Sequence, residues 1–117
     1  MTNQTDCSAI TTRLSEVTPQ RIEWLWPGRF ALGKLTLLSG DPGLGKSFVT
    51  LDMAARISNG VPWPDSPTVP NPRGSVVLLS AEDDLADTIR PRLDAAGADV
   101  ERITAIEGVR FYSSETE

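Results

Sequence analysis

The chain has 117 residues, a formal charge of −5 and no histidine, so it has the size of one small domain and offers no imidazole base or ligand. With an isoelectric point near 4.7 and only two lysines, Lys34 and Lys46, it lacks the clustered cations that hold a nucleic-acid backbone. Cys7 stands alone, no apolar run approaches the roughly 20 residues of a membrane span, and the first residues lack the pattern of a signal peptide; a reducing cytoplasm is the expected compartment.

Residues 1–20 are polar and rich in Ser and Thr, without a sustained period. They read as a mobile leader with a short helical turn near Ile10 to Val17, ahead of a domain spanning 21–117. Trp24 and Trp26 precede a Pro27-Gly28 turn in an extended lead-in segment. Packing of these indoles onto a sheet is expected several times more often than stacking on a base. A strand is predicted at about Lys34 to Ser39.

From Lys46 to Ser58 apolar residues recur at helical spacing, Val49, Met53 and Ile57 in one stripe and Phe48, Leu51 and Ala55 in the next. Asp52 and Arg56 fall four apart, an exposed ion pair, and the helix is expected to be buried on most other sides. Asn59-Gly60 is its stop. Five prolines in VPWPDSPTVPNPRG then demand a loop, with Trp63 expected at the sheet edge rather than on a base. Ser75 to Ser80, SVVLLS, is a continuous apolar run of the kind found in strands covered on both faces. Leu85, Ile89, Leu93 and Ala96 mark a second helical face ending at Gly97, and Pro91 predicts a kink or two short helices. A third strand is expected near Ile103 to Ile106. The alternation of strands and helices is that of an α/β fold with a parallel sheet and right-handed crossovers, of which about three strands are present.

The segment Gly40-Asp-Pro-Gly-Leu-Gly-Lys46-Ser47 fits G-x-x-x-x-G-K-[ST]. Backbone N–H groups curl around a phosphate only where glycines tolerate positive φ and lack a Cβ, and the helix beginning near Lys46 adds its positive end. Lys46 has the reach for β- and γ-phosphates, and the Ser47 hydroxyl suits Mg²⁺. Against this stands a bare strand-to-helix turn, but a chance match to the four fixed positions should arise in well under about one such chain per hundred. Glu82, Asp83 and Asp84 follow the second strand, at the carboxyl end where ligands of parallel sheets sit. One reading makes Glu82 the base that orients and deprotonates a water. Another makes Ser80 to Asp83 a capping box that only starts a helix. A weaker third makes the cluster the acid that holds Mg²⁺, which normally follows the strand directly, whereas Ser80 and Ala81 intervene. Arg90, Arg92 and Arg102 are expected on a solvated face rather than as arginine fingers.

The pairing of WLWPGRFALGKLTLLSGDPGLGKS with GSVVLLSAEDDLADTIRPRLDAAGAD resembles the N-terminal part of RecA-superfamily ATPases of the RepA-like, AAA-type group, over roughly Arg21 to Val109. The resemblance implies a RecA-like P-loop core that binds ATP and Mg²⁺. Its catalytic residues would be Glu82 and Lys46, its metal ligand Ser47, and its nucleotide-binding set Gly40, Asp41, Pro42, Gly43, Leu44, Gly45, Lys46, Ser47 and Phe48. It further implies a hexameric ring, DNA replication or helicase activity, and single-stranded DNA as a partner of parts beyond those seen here. Such ATPases continue into a Walker B strand, sensors and an arginine finger, and none is visible before the polar end RFYSSETE, so an incomplete core is expected. The alternative is a truncated nucleotide-binding or assembly module without turnover. A ParA-like partition ATPase would carry a second lysine where Asp41 stands, a small nucleotide kinase would need a later arginine-bearing lid, and no guanine-reading N/T-K-x-D element is present.

Overall fold

The structure, a computed structural model, describes residues 4–80 and 82–114. The first residues of the expected leader, Ala81 in the acidic segment and the last three residues of the polar end lie outside the described residues. Within the leader the one regular element is a 3₁₀ turn, Leu14–Glu16, and residues 4–20 are exposed throughout. The short turn falls inside the predicted interval.

The lead-in segment folds as an antiparallel hairpin, β1 (Trp24–Trp26) and β2 (Phe30–Ala31), around the Pro27-Gly28 turn. Gly28 takes a φ of 75° there, a conformation that costs a Cβ-bearing residue stability. The Trp26 ring lies between Phe30 and Trp63, stacked at centroid distances of 5.8 and 4.8 Å. Trp63 is 1% exposed and its Nε1–H donates to the Leu25 carbonyl at 2.8 Å. Trp26 and Trp63 thus meet at the two-stranded hairpin sheet. The indoles fasten the proline loop to the hairpin, because stacked rings bury a large apolar area while the indole N–H still finds an acceptor.

Helix α1 (Lys46–Asn59) ends in a Schellman motif. The N–H of Val61 donates to the Arg56 carbonyl at 2.9 Å, and Gly60, at φ 66°, donates to Ile57 at 3.4 Å. A Cβ on Gly60 would also come within 3.0 Å of the Asn71 carbonyl oxygen, so glycine is required there twice over. The expected Asp52–Arg56 pair forms at 2.9 Å. Burial is narrower than periodicity suggested: Leu51, Ala54, Ala55 and Ser58 are buried, whereas Phe48 and Val49 are exposed. An apolar arc wider than the neighbouring surface cannot all be covered, and packing selects the 51-54-55-58 face.

Strand β3 (Val76–Leu79) pairs in parallel with β4 (Ile103–Ile106), Val76 opposite Ile103 and Leu79 opposite Ile106. Between them, a π-helical turn at Leu85–Ile89 runs into α2 (Arg90–Ala95). The widened turn has a cause in Pro91, which has no N–H to give the carbonyl four residues back and whose ring would crowd it. The N–H groups of Ile89 and Arg90 bond five residues back, to Asp84 and Leu85, and the helix restarts with proline in its first turn, where it is tolerated. Leu51, Ala54, Ile89 and Leu93 make the core, with Val76, Leu78, Leu85, Ala98, Val100 and Ile103 packed against it.

Two strand expectations need correction. The run at Ser75 to Ser80 is covered on one face only: Val76 and Leu78 turn to the core, while Val77 and Leu79 are exposed. Lys34 to Ser39 forms no strand, and Leu35 is fully exposed. A strand exists only as part of a ladder, and among the described residues no other segment pairs with it. The observed architecture is α/β with a two-stranded parallel sheet and a separate hairpin, compatible with part of a P-loop core.

Candidate functional site

Between Gly40 and α1 the chain turns through Gly43 at φ 83° and Gly45 at φ 88°. Built Cβ atoms on either glycine would meet nothing within 4 Å, so the glycines are required by backbone conformation and not by crowding. Gly45 is the residue before the helix and brings no capping side chain. The first intrahelical bond runs from Val49 N–H to the Gly45 carbonyl at 3.1 Å. The amides of Lys46, Ser47 and Phe48 are thus among the unsatisfied donors at the positive end of a 14-residue helix.

The Lys46 side chain folds back over the loop, its Nζ donating to the Gly40 carbonyl. The ammonium and the free amides belong to one short loop and helix start, a donor set that suits an anion. Thr50 donates its hydroxyl to the Ser47 carbonyl at 2.9 Å. The Ser47 hydroxyl has no protein partner among the described residues. Among those residues no three His, Cys, Asp or Glu side chains are grouped to hold a metal. A cation beside Ser47 would draw its remaining ligands from phosphate oxygens and water, which is the habit of Mg²⁺. The residues present therefore fit both phosphate and Mg²⁺.

Opposite the loop, the acidic segment divides its labour. Asp84 is the N-cap of the second helical segment, its Oδ1 accepting from Ala86 N–H at 2.8 Å and Asp87 N–H at 3.0 Å. The bonds from Asp87 and then Ala86 hold its carboxyl below the usual carboxylate range. Half of the expected capping box is present as well, since Ser80 Oγ accepts from Asp83 N–H at 3.3 Å. The cap itself, Asp84, sits four residues later than Ser80, where that pattern placed it.

A cleft of about 180 Å³ separates α1 from the end of β3, lined by Ser47, Thr50, Leu51, Leu78, Ser80 and Asp83 among others. The structure thus brings the P-loop serine and the acidic segment to one opening. Asp83 is half-buried in it, whereas Glu82 is exposed and outside its lining. Thr50 was not singled out from the sequence, and Asp83 entered it only as a member of the acidic cluster and of the capping box. The signal for Thr50 there was a position one helical turn past Lys46.

Arg92 is half-buried rather than on a solvated face. Its guanidinium lies 4.3 Å from the Phe48 ring centroid, pinning α2 to the first turn of α1 by a cation–π contact. Arg90 is exposed and pairs with Asp94 at 2.9 Å. Arg102 approaches Asp99 at 3.8 Å. No helix among the described residues is long and apolar enough to cross a membrane.

A family model described as an AAA domain matches residues 3–117. No curated protein and no solved structure matches the chain significantly.

Proposed function

The chain belongs to the AAA domain family, and from that premise we propose that it is the ATP-binding part of a RecA-like, RepA-type ATPase acting in DNA replication or unwinding. The observation that carries the proposal is the loop from Gly40 to Ser47. Its left-handed glycines, free helix amides and inward-folded Lys46 make an anion cradle at a helix start. Residues Asp41 to Ser47 would wrap the β-phosphate with their amides, and Phe48 N–H would extend the row by one donor. Lys46 would exchange its Gly40 carbonyl for phosphate oxygens. Ser47 would ligate Mg²⁺, which when bound neutralises charge developing on the phosphate oxygens. Glu82 would orient the attacking water and accept its proton. In its assembled form the ATPase would be a hexameric ring with nucleotide between subunits and single-stranded DNA as its track. The leader 1–20 would lie ahead of the nucleotide domain proper.

One observation favours a second reading, in which the chain binds nucleotide without turning it over. Glu82 is exposed and outside the cleft that Ser47 lines. A titration with a fluorescent ATP analogue in Mg²⁺, with phosphate release followed in parallel, separates the two. Saturable binding with turnover supports the ATPase reading; binding without turnover supports the second. Lys46→Ala should abolish binding, lowering affinity by at least about a hundredfold, as loss of a charge-assisted contact to phosphate implies. Unchanged affinity in that variant would sink the phosphate-loop assignment.

A further inference from the structure

Three carboxylates follow β3, and only one of them faces the P-loop helix. Asp84 is committed to the N-cap by its bonds to Ala86 and Asp87. Glu82 is exposed and lines none of the clefts that Asp83 lines. Asp83 lines the 180 Å³ cleft shared with Ser47 and Thr50. It also lines a larger one, about 400 Å³, that runs along the carboxyl ends of β3 and β4 past Glu107. Its backbone is tied down by Ser80 Oγ, and its carboxylate has no hydrogen-bond or ion-pair partner among the described residues.

Ser47 and Asp83 thus line a single small opening that no Lys or Arg lines: Thr50, Leu51, Leu78, Leu79, Ser80 and Ile89 complete the lining. A half-buried acidic residue that lines the same cleft as the serine proposed to ligate Mg²⁺ has a task there. Mg²⁺ keeps several of its waters when bound with a nucleotide, and those waters are strong donors that need fixed acceptors. We propose that Asp83 is a positioning residue for Mg²⁺, accepting hydrogen bonds from the waters of the ion that Ser47 ligates directly. This rests on the phosphate-loop reading above, and it separates the duties of neighbouring acids: Asp84 starts the helix, Asp83 orients the hydrated ion, and Glu82 is left for the attacking water. The serine that interrupts the strand-to-acid spacing has a use in this arrangement, because Ser80 Oγ sets the direction of the turn that carries Asp83 into the cleft.

The test measures Mg²⁺ affinity and needs no turnover. The 117-residue chain is held with saturating fluorescent ATP analogue in EDTA, and Mg²⁺ is titrated back while the fluorescence is followed. Asp83→Asn should weaken the Mg²⁺ midpoint by about 10- to 100-fold, the usual effect of removing a partner of a metal's bound ligands, while leaving metal-free nucleotide affinity unchanged. Asp83→Glu, which retains the carboxylate, should recover part of the loss, and Glu82→Gln should titrate as the wild type does. A wild-type Mg²⁺ midpoint in folded Asp83→Asn, verified by circular dichroism, overturns the assignment. So does a Glu82→Gln midpoint shifted as far as that of Asp83→Asn. Failure of the wild-type chain to bind the analogue at all would instead overturn the phosphate-loop reading, and this inference with it.

Discussion

Asp65 holds two donors at once, the Trp26 indole N–H at 2.6 Å and the Arg29 Nε–H at 3.0 Å. The indole bond first, and the guanidinium second, hold its carboxyl below the usual carboxylate range. A depressed pKa means that the contribution to stability is complete above the ordinary aspartate range and is lost as pH falls through the folded value. The link between the proline loop and the hairpin should therefore be indifferent to pH near neutrality and loosen only in strong acid. Tryptophan emission followed downward from pH 6 should show an acid transition that Asp65→Asn lacks; the same transition in that variant would remove Asp65 from the account. The partners of Asp65 are 39 and 36 residues away in sequence, so no local pattern foretold them. Gly43, Gly45, Lys46 and Ser47 are the opposite case. Their proposed roles rest on backbone freedom and adjacency to a helix start, properties that four neighbouring residues carry by themselves.

Helix α1 was legible in extent because its signals are local: glycine before Lys46, helical spacing, and Asn59-Gly60 at the end. Its buried face was not, since two apolar stripes competed and only packing against α2 and β3 chose between them. The choice has a measurable consequence. Leu51 is 6% exposed within the core and Val49 is 43% exposed, so Leu51→Ala should cost about 2–5 kcal/mol and Val49→Ala no more than about 0.5 kcal/mol. Urea unfolding of both variants checks this, and equal losses would mean that the helix face is misassigned. The second helical segment teaches the same lesson from the other side. Pro91 foretold an interruption, and the structure resolves it as a widened turn followed by a restarted helix, an outcome that keeps Ile89 and Leu93 on one buried face.

At the scale of the whole molecule, the radius of gyration is 20.7 Å, against about 13 Å for a compact domain of this length. The exposed leader and the irregular stretch from Leu35 to Ser39 contribute to the extension. Leu35 and Leu37 are 100% and 88% exposed, and clustered apolar side chains in water bind apolar dyes and one another. Replacing both with serine should lower binding of anilinonaphthalene sulfonate while leaving the thermal midpoint unchanged, because neither side chain packs on the core. A lowered midpoint would show that the segment packs after all. The sequence by itself determined the glycine turn ahead of α1, the span of α1, the position of β4 and the break at Pro91, since each depends on residues within one or two turns of it. Only the tertiary structure decided which face of α1 is buried, that Lys34 to Ser39 stays outside the sheet, and that Asp83 shares a cleft with Ser47. Those outcomes turn on neighbours brought from distant parts of the chain, and the burial they compete for is smaller than the apolar surface the chain presents.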